Sequence, residues 1–153
     1  MQSIGTDFNG REHAIMTIAS IKDAIPTLPD AFVLFVAGDT EQESLNDLLK
    51  FANHILDRGC VYVCTWGRGC ERLHDLFDIA AIERSTPESE GVLMTTWHSS
   101  ETLQDALHFF VRSTTPDPDF APEPGHAVAL LIGNAITPEA VNRAITALIT
   151  PRP

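Results

Sequence analysis

Four times along the chain a short, almost uninterrupted apolar run is followed by a stretch whose apolar residues recur at helical spacing, and this rhythm constrains the fold more than any other feature. The runs are Ala31–Ala37 (AFVLFVA), Cys60–Thr65 (CVYVCT), Gly91–Thr96 (GVLMTT) and His126–Ile132 (HAVALLI). Continuous rather than alternating apolarity suits strands covered on both faces, as in a parallel sheet. Between and after them lie amphipathic stripes. Glu41–Arg58 carries Leu45, Leu48, Leu49, Ala52, Ile55 and Leu56, with a Thr40–Glu43 capping box before it and Gly59 after it. Leu73, Leu76, Phe77 and Ala80 form the second stripe, Leu103, Ala106, Leu107 and Phe110 the third, and Val141, Ala144, Ile145 and Leu148 the fourth. Thr137 and Pro138 open the last as N-cap and first helical residue. Strand–helix alternation predicts right-handed crossovers and a mainly parallel sheet of four or five strands with helices on both faces, an α/β three-layer sandwich of flavodoxin-like or Rossmann-like type.

One domain over residues 1–153 is expected, with its core in 31–150 and an N-terminal extension, 1–30, of ambiguous structure. Within that extension Ile15, Ile18, Ile21 and Ile25 make a loose helical stripe across Glu12–Ile25, although Ala14–Ala19 also reads as an extra edge strand; the stripe favours a helix. Pro26–Asp30 is a stiff loop. Pro116, Pro118, Pro122 and Pro124 punctuate the link before the last apolar run, an extended solvated connection with Phe120 in its middle.

Charge and cysteine usage limit the partners. The 21 Asp and Glu outnumber 10 Lys and Arg, giving a formal charge of −11. Nucleic acid and anionic membranes would have to bind against that field and are not expected partners; a basic protein or a small molecule is. No run of about 18 apolar residues and no signal-like N-terminus is present, so a cytoplasmic location is expected. Cys60, Cys64 and Cys70 are an odd number packed into one short stretch, which reads as reduced thiols rather than a disulfide framework.

In open parallel sheets, ligands gather outside the carboxyl ends of the strands. Those ends here read Gly38-Asp39-Thr40, Thr65-Trp66-Gly67-Arg68-Gly69-Cys70, Thr95-Thr96-Trp97-His98-Ser99 and Gly133-Asn134. Asp39, Thr65, Trp66, Arg68, Trp97, His98 and Asn134 are therefore the candidate ligand-binding residues. Loop tryptophans suit a recognition surface, having an apolar body and a polar N–H; packing of Trp66 on Trp97 is the bland alternative. The Trp66-Gly67-x-x-Cys70 turn and the Thr95-Thr96-Trp97-His98 segment resemble an uncharacterised family of small bacterial α/β domains of unknown function, the resemblance running from about Ala31 to Ile132. It implies one α/β domain and carries no mechanism.

Among catalytic candidates, Cys70 falls near the start of the second helix and beside Arg68, both of which favour thiolate, and His74 or His98 could serve as its base. This thiol-dependent hydrolase or transferase is the alternative to a binding domain, although the Cys-x5-Arg spacing of anion-cradling loops is absent and an inert buried thiol is the simpler account. Cys64, Cys70, His74 and His98 are acceptable zinc ligands but lack a standard spacing, and no metal is expected. His98, Ser99 and Asp39 could be assembled into a triad only without a nucleophile elbow, so Ser99 or Ser100 is read as a helix N-cap. No dinucleotide or phosphate-binding glycine motif follows the first run, and no cofactor is expected. His54 and His108 read as solvated helix residues, and His13 and His126 carry no signal. A homo-oligomer with the strand-end rim at its interface is a third reading.

Overall fold

A computed structural model describes residues 1–89, 91–120 and 123–153. Strands β1 (Gln2–Thr6), β2 (Glu12–Ile18) and β3 (Phe32–Ala37) precede helix α1 (Leu45–Asp57), after which β4 (Cys60–Trp66), α2 (Cys70–Arg84), β5 (Met94–Trp97), α3 (Leu103–Ser113), β6 (His126–Ile132) and α4 (Pro138–Ile149) alternate. The six strands form one sheet in the order β1-β2-β6-β3-β4-β5. Only the β1–β2 pair is antiparallel. The α/β class and the mainly parallel sheet agree with the sequence, but the sheet holds six strands rather than four or five.

Two strands are added at the N-terminal side: β1 in the segment of ambiguous structure, and β2 where the isoleucine spacing favours a helix. Glu12–Ile18 is β2, and it is an interior strand bonded to β1 on one side and to β6 on the other rather than an edge. Its isoleucines do recur at helical spacing, yet Ile15 and Ile18 are β-branched and the strand gains a full ladder on both sides, so tertiary pairing overrides the local pattern. Other boundaries shift less. The third run begins its strand at Met94 rather than Gly91, and α1 begins at Leu45 rather than Glu41. Ser44, not Thr40, caps α1: its side chain accepts from Asp47 N, while Thr40 is buried against the β4–α2 loop. Thr102 likewise caps α3 in place of Ser99 or Ser100. Thr137 and Pro138 open α4 as expected, and Gly59 follows the Arg58 C-cap of α1 in left-handed backbone.

Helices distribute by the direction of each crossover. The chain steps outward through β3, β4 and β5, with α1 and α2 on one face, then returns to β6 through α3, which joins α4 on the other. Each face has its own core. Phe32, Leu34, Phe51 and Phe77 fill the α1/α2 side, and Val33, Phe35, Phe110 and Leu131 fill the α3/α4 side. A fully buried Phe or Leu contributes about 1.5–3 kcal/mol, so these layers dominate stability.

The β1–β2 turn is held by buried polar groups that the sequence did not flag. His13, on β2, meets Asp7 through Nε2 at 2.8 Å and lies edge-on to Phe110. Asp7 also accepts from the backbone N–H of Asn9 and Arg11, and the Arg11 guanidinium donates to the carbonyl and hydroxyl of Thr114 just past α3. The segment beyond α3 is tied to the approach to β5: Asp117 accepts from Val92 N, and Phe120 lies half-buried against Gly91. Pro122 lies outside the described residues.

Candidate functional site

Two places on the carboxyl edge of the sheet have neighbouring strands whose following helices leave to opposite faces. Such divergence opens a crevice. Between β3 and β6 the crevice is filled, because Gly38 sits so close to Ile132 that an added Cβ would lie 2.7 Å from the Ile132 Cβ. Between β4 and β5 it stays open, since α2 turns to one face and α3 to the other, and a cleft of about 710 Å³ results. Trp66, Arg68, Cys70 and His98 line it.

The β4–α2 loop is shaped by close backbone approach to the β3–α1 loop. Arg68 O accepts from Thr40 N, and Gly69, in left-handed backbone, lies against Glu41 N. Gly69 is also the N-cap of α2 and offers no side-chain acceptor to the first turn. On the opposite wall the Trp66 indole N–H donates to Glu101 O at 2.9 Å, and His98 is held on both nitrogens. Its Nδ1 meets Glu101 Oε2 at 2.9 Å, its Nε2 meets Thr96 Oγ1 at 3.0 Å, and its ring packs at a tilt against Phe109. With the ring neutral, Glu101 can only accept, so Nδ1 carries the proton and Nε2 accepts from the Thr96 hydroxyl.

The remaining predicted residues separate. Thr65 is fully buried and donates to Cys70 O at 2.8 Å, tying the first turn of α2 to the strand end rather than facing the cleft. Asp39 is exposed beside Arg68, with 3.9 Å between their charged atoms. Asn134 is exposed at the filled β3/β6 crevice. Trp97 is the register partner of Thr65, so its side chain lies on the face opposite that of Trp66. It packs at a tilt against His74, ring centres 4.6 Å apart, and does not pack on Trp66.

Cys70 does occupy the first position of α2, but the expected activation is missing. Arg68 points outward to Asp39, and both His74 nitrogens face carboxylates, Asp75 at 2.9 Å and Asp78 at 3.5 Å. Both nitrogens of His98 are committed as described, and its contribution to Cys70 is a backbone N–H. Burial pushes the Cys70 thiol above its ordinary value despite N–H groups of His98, Glu71 and Cys70 itself. Burial also raises Cys64, to about 12, and raises Cys60 further. All three thiols should therefore react slowly with iodoacetamide in the folded protein at pH 7–8 and rapidly once unfolded, as mass spectrometry of the modified peptides would show. Fast, selective labelling of Cys70 would reinstate it as a nucleophile. Among the described residues no three His, Cys, Asp or Glu side chains gather closely enough to hold a metal ion, so Cys64, Cys70, His74 and His98 do not converge as ligands.

Several cleft groups were not singled out from sequence, chiefly acids. Glu41, Glu71, Asp75 and Glu101 line the cleft. Arg72, its second arginine, donates to the carbonyls of Glu41 and Glu43. Only Glu101 had a usable local signal, three residues after His98; the others come from different elements and meet only when the loops fold together.

These features define a small α/β domain with a strand-end cleft. The chain belongs to a family described as a domain of unknown function (DUF7684), whose model matches residues 13–150. No curated protein and no solved structure matches it. Among the described residues no helix is long and apolar enough to cross a membrane.

Proposed function

We propose that this chain is an acidic, cytoplasmic binding domain of Rossmann-like or flavodoxin-like type, and that the cleft between β4 and β5 holds a ligand bearing an ammonium or guanidinium group. One observation carries the reading: Glu41, Glu71, Asp75 and Glu101 line one cleft with a half-buried indole, while one of the two cleft arginines is bonded to backbone carbonyls and the other lies beside Asp39. A cation there gains from the carboxylates and from the Trp66 ring face, a contribution of about 0.5–2 kcal/mol for the ring alone. The overall charge of −11 draws the same class of ligand toward the surface.

Fluorescence provides the test, because the chain has two tryptophans and Trp97 can be removed as Trp97→Phe, leaving Trp66 as the reporter. Titration with agmatine and spermidine is expected to give a saturable change that weakens at least fivefold in Glu71→Gln/Asp75→Asn. Citrate and phosphate should give none. A short lysine peptide in the same assay distinguishes a protein partner from a small amine. Absence of a saturable response to any cation, or an equal response to citrate, would overturn the reading.

A further inference from the structure

Strand β5 ends the sheet, and its outer edge carries the main exposed apolar surface of the described molecule. His98 N donates to Thr65 O, and Thr96 O accepts from the Thr65 hydroxyl, so the backbone of Thr96 faces β4. Backbone groups alternate along a strand; the N–H and C=O of Thr95 and Trp97 therefore point to the open side. Around that edge stand Val92, Met94 and Trp97 from β5 and its approach, with Ile82 from the adjoining helix α2, all between 43% and 73% exposed. Ile82 and Val92 line a second cleft of about 660 Å³ with Leu56 and Phe120.

Free edges are ordinarily blunted by lysine, proline or a covering segment. Here no Lys or Arg occurs from Ser85 through Val111, and among the described residues of the edge only the Val92 amide is capped, by Asp117. Of the charged groups along it, Arg84 in the second cleft is already bonded to Asn53 and Asp57, and those beside Thr95 and Trp97 are acidic. Asp78 accepts from Thr95 Oγ1 and remains 43% exposed on its side chain, and Asp75 is 60% exposed one turn away. A second copy of this chain would bring the same acids against themselves, with −11 on each molecule.

We infer that the β5 edge docks an extended, basic segment of a partner protein, which adds as a seventh strand. Its backbone pairs with Thr95 and Trp97; the alternate side chains that fall on the α2 face are lysine or arginine, meeting Asp75 and Asp78 beside the Trp97 ring, and those on the other face are apolar and cover Met94. This is strand addition, in which main-chain bonds supply affinity and alternate side chains supply specificity. The surface shares Asp75 with the cleft at the strand ends, but the Thr95 and Trp97 backbone pairing does not involve that cleft, so exchange at those two amides fails or succeeds separately from cation binding there.

The test is hydrogen exchange and chemical-shift mapping of the isotopically labelled full chain against an eight-residue peptide alternating lysine with valine and capped at both ends. Controls are the same residues in two blocks, a valine–glutamate alternation, and the lysine peptide N-methylated at alternate positions. The alternating lysine peptide should slow exchange of the Thr95 and Trp97 amides at least tenfold at saturation, leave Thr96 unchanged, and bind at least tenfold more tightly than each control. Ile82→Lys, at a site 73% exposed, should weaken it at least fivefold without loss of folding. Equal binding of the block peptide, unchanged Thr95 and Trp97 exchange, or β5-dependent dimerisation of the free protein in sedimentation would each overturn the proposal.

Discussion

Gly67→Ala is expected to destabilise the protein by about 3 kcal/mol or more and to distort the cleft in whatever folded protein remains. Gly67 sits at φ 110°, and a Cβ there would lie 2.2 Å from the carbonyl oxygen of Gly38. The obstacle is backbone, which cannot swing aside as a flexible side chain can. Moreover, Gly38 N donates to Trp66 O at 3.2 Å, so moving the two loops apart loses a bond that ties the β3 and β4 ends together. Gly10→Ala separates the contributions, because Gly10 also has a left-handed backbone, φ 80°, but nothing within 4 Å of an added Cβ. Its cost should be the conformational one alone, about 1–2 kcal/mol. Urea unfolding of both variants, with shifts of the Trp66 indole resonance, measures the difference; equal losses would show that the close approach at Gly67 is of no consequence.

Asp7→Ala should cost a further large amount, about 3–5 kcal/mol at neutral pH, because it strips a buried imidazole and two backbone N–H groups of their shared acceptor. His13 Nδ1 is already buried without a partner, so no alternative bond compensates. The same pair sets the acid response. Burial pushes the Asp7 carboxyl up, but the bonds from His13, Arg11 and Asn9 outweigh it and hold the carboxyl below its ordinary 3.8. Burial holds the His13 imidazole below its ordinary 6.5 in spite of Asp7. As pH falls below about 6.5 the unfolded chain takes up a proton at His13 that the folded chain refuses, and stability declines. The Asp7 contribution is fully present above about pH 4 and is lost as pH falls through its lowered folded value. Asp7→Ala should therefore flatten the lower arm of the pH–stability curve, leaving what Asp117 contributes, while the His13 arm persists. Urea midpoints between pH 3 and 8 test this, and an unchanged lower arm would assign it to other carboxylates.

These two positions mark where local sequence ceased to be informative. Three of the four apolar runs, together with the α4 cap, were legible because each depends on neighbours within one turn or one strand: a continuous apolar stretch buried on both faces needs no knowledge of its partner. The run at Gly91 was shortened because Val92 is tied to Asp117, a contact between segments 25 residues apart in sequence. Strand β2 was misread for the same reason, since the ladder that stabilises it comes from β6, near the other end of the chain. At the site, Trp66, Arg68, Cys70 and His98 were found by position at strand ends, whereas Glu41, Glu71 and Asp75 carry no local mark that separates them from solvated helix acids.

The sequence by itself determined the strand–helix rhythm, the α/β class, the excess of negative charge and the rim on which the aromatic and ionisable residues sit. Only the tertiary structure decided which rim crevice is open. Gly38 closes the β3/β6 gap by backbone approach to Ile132, and the divergence of α2 and α3 opens the β4/β5 gap. It also decided that Cys70 is a buried thiol rather than an activated one, because desolvation and the outward turn of Arg68 depend on how separate loops pack in space, and no spacing along the chain encodes that.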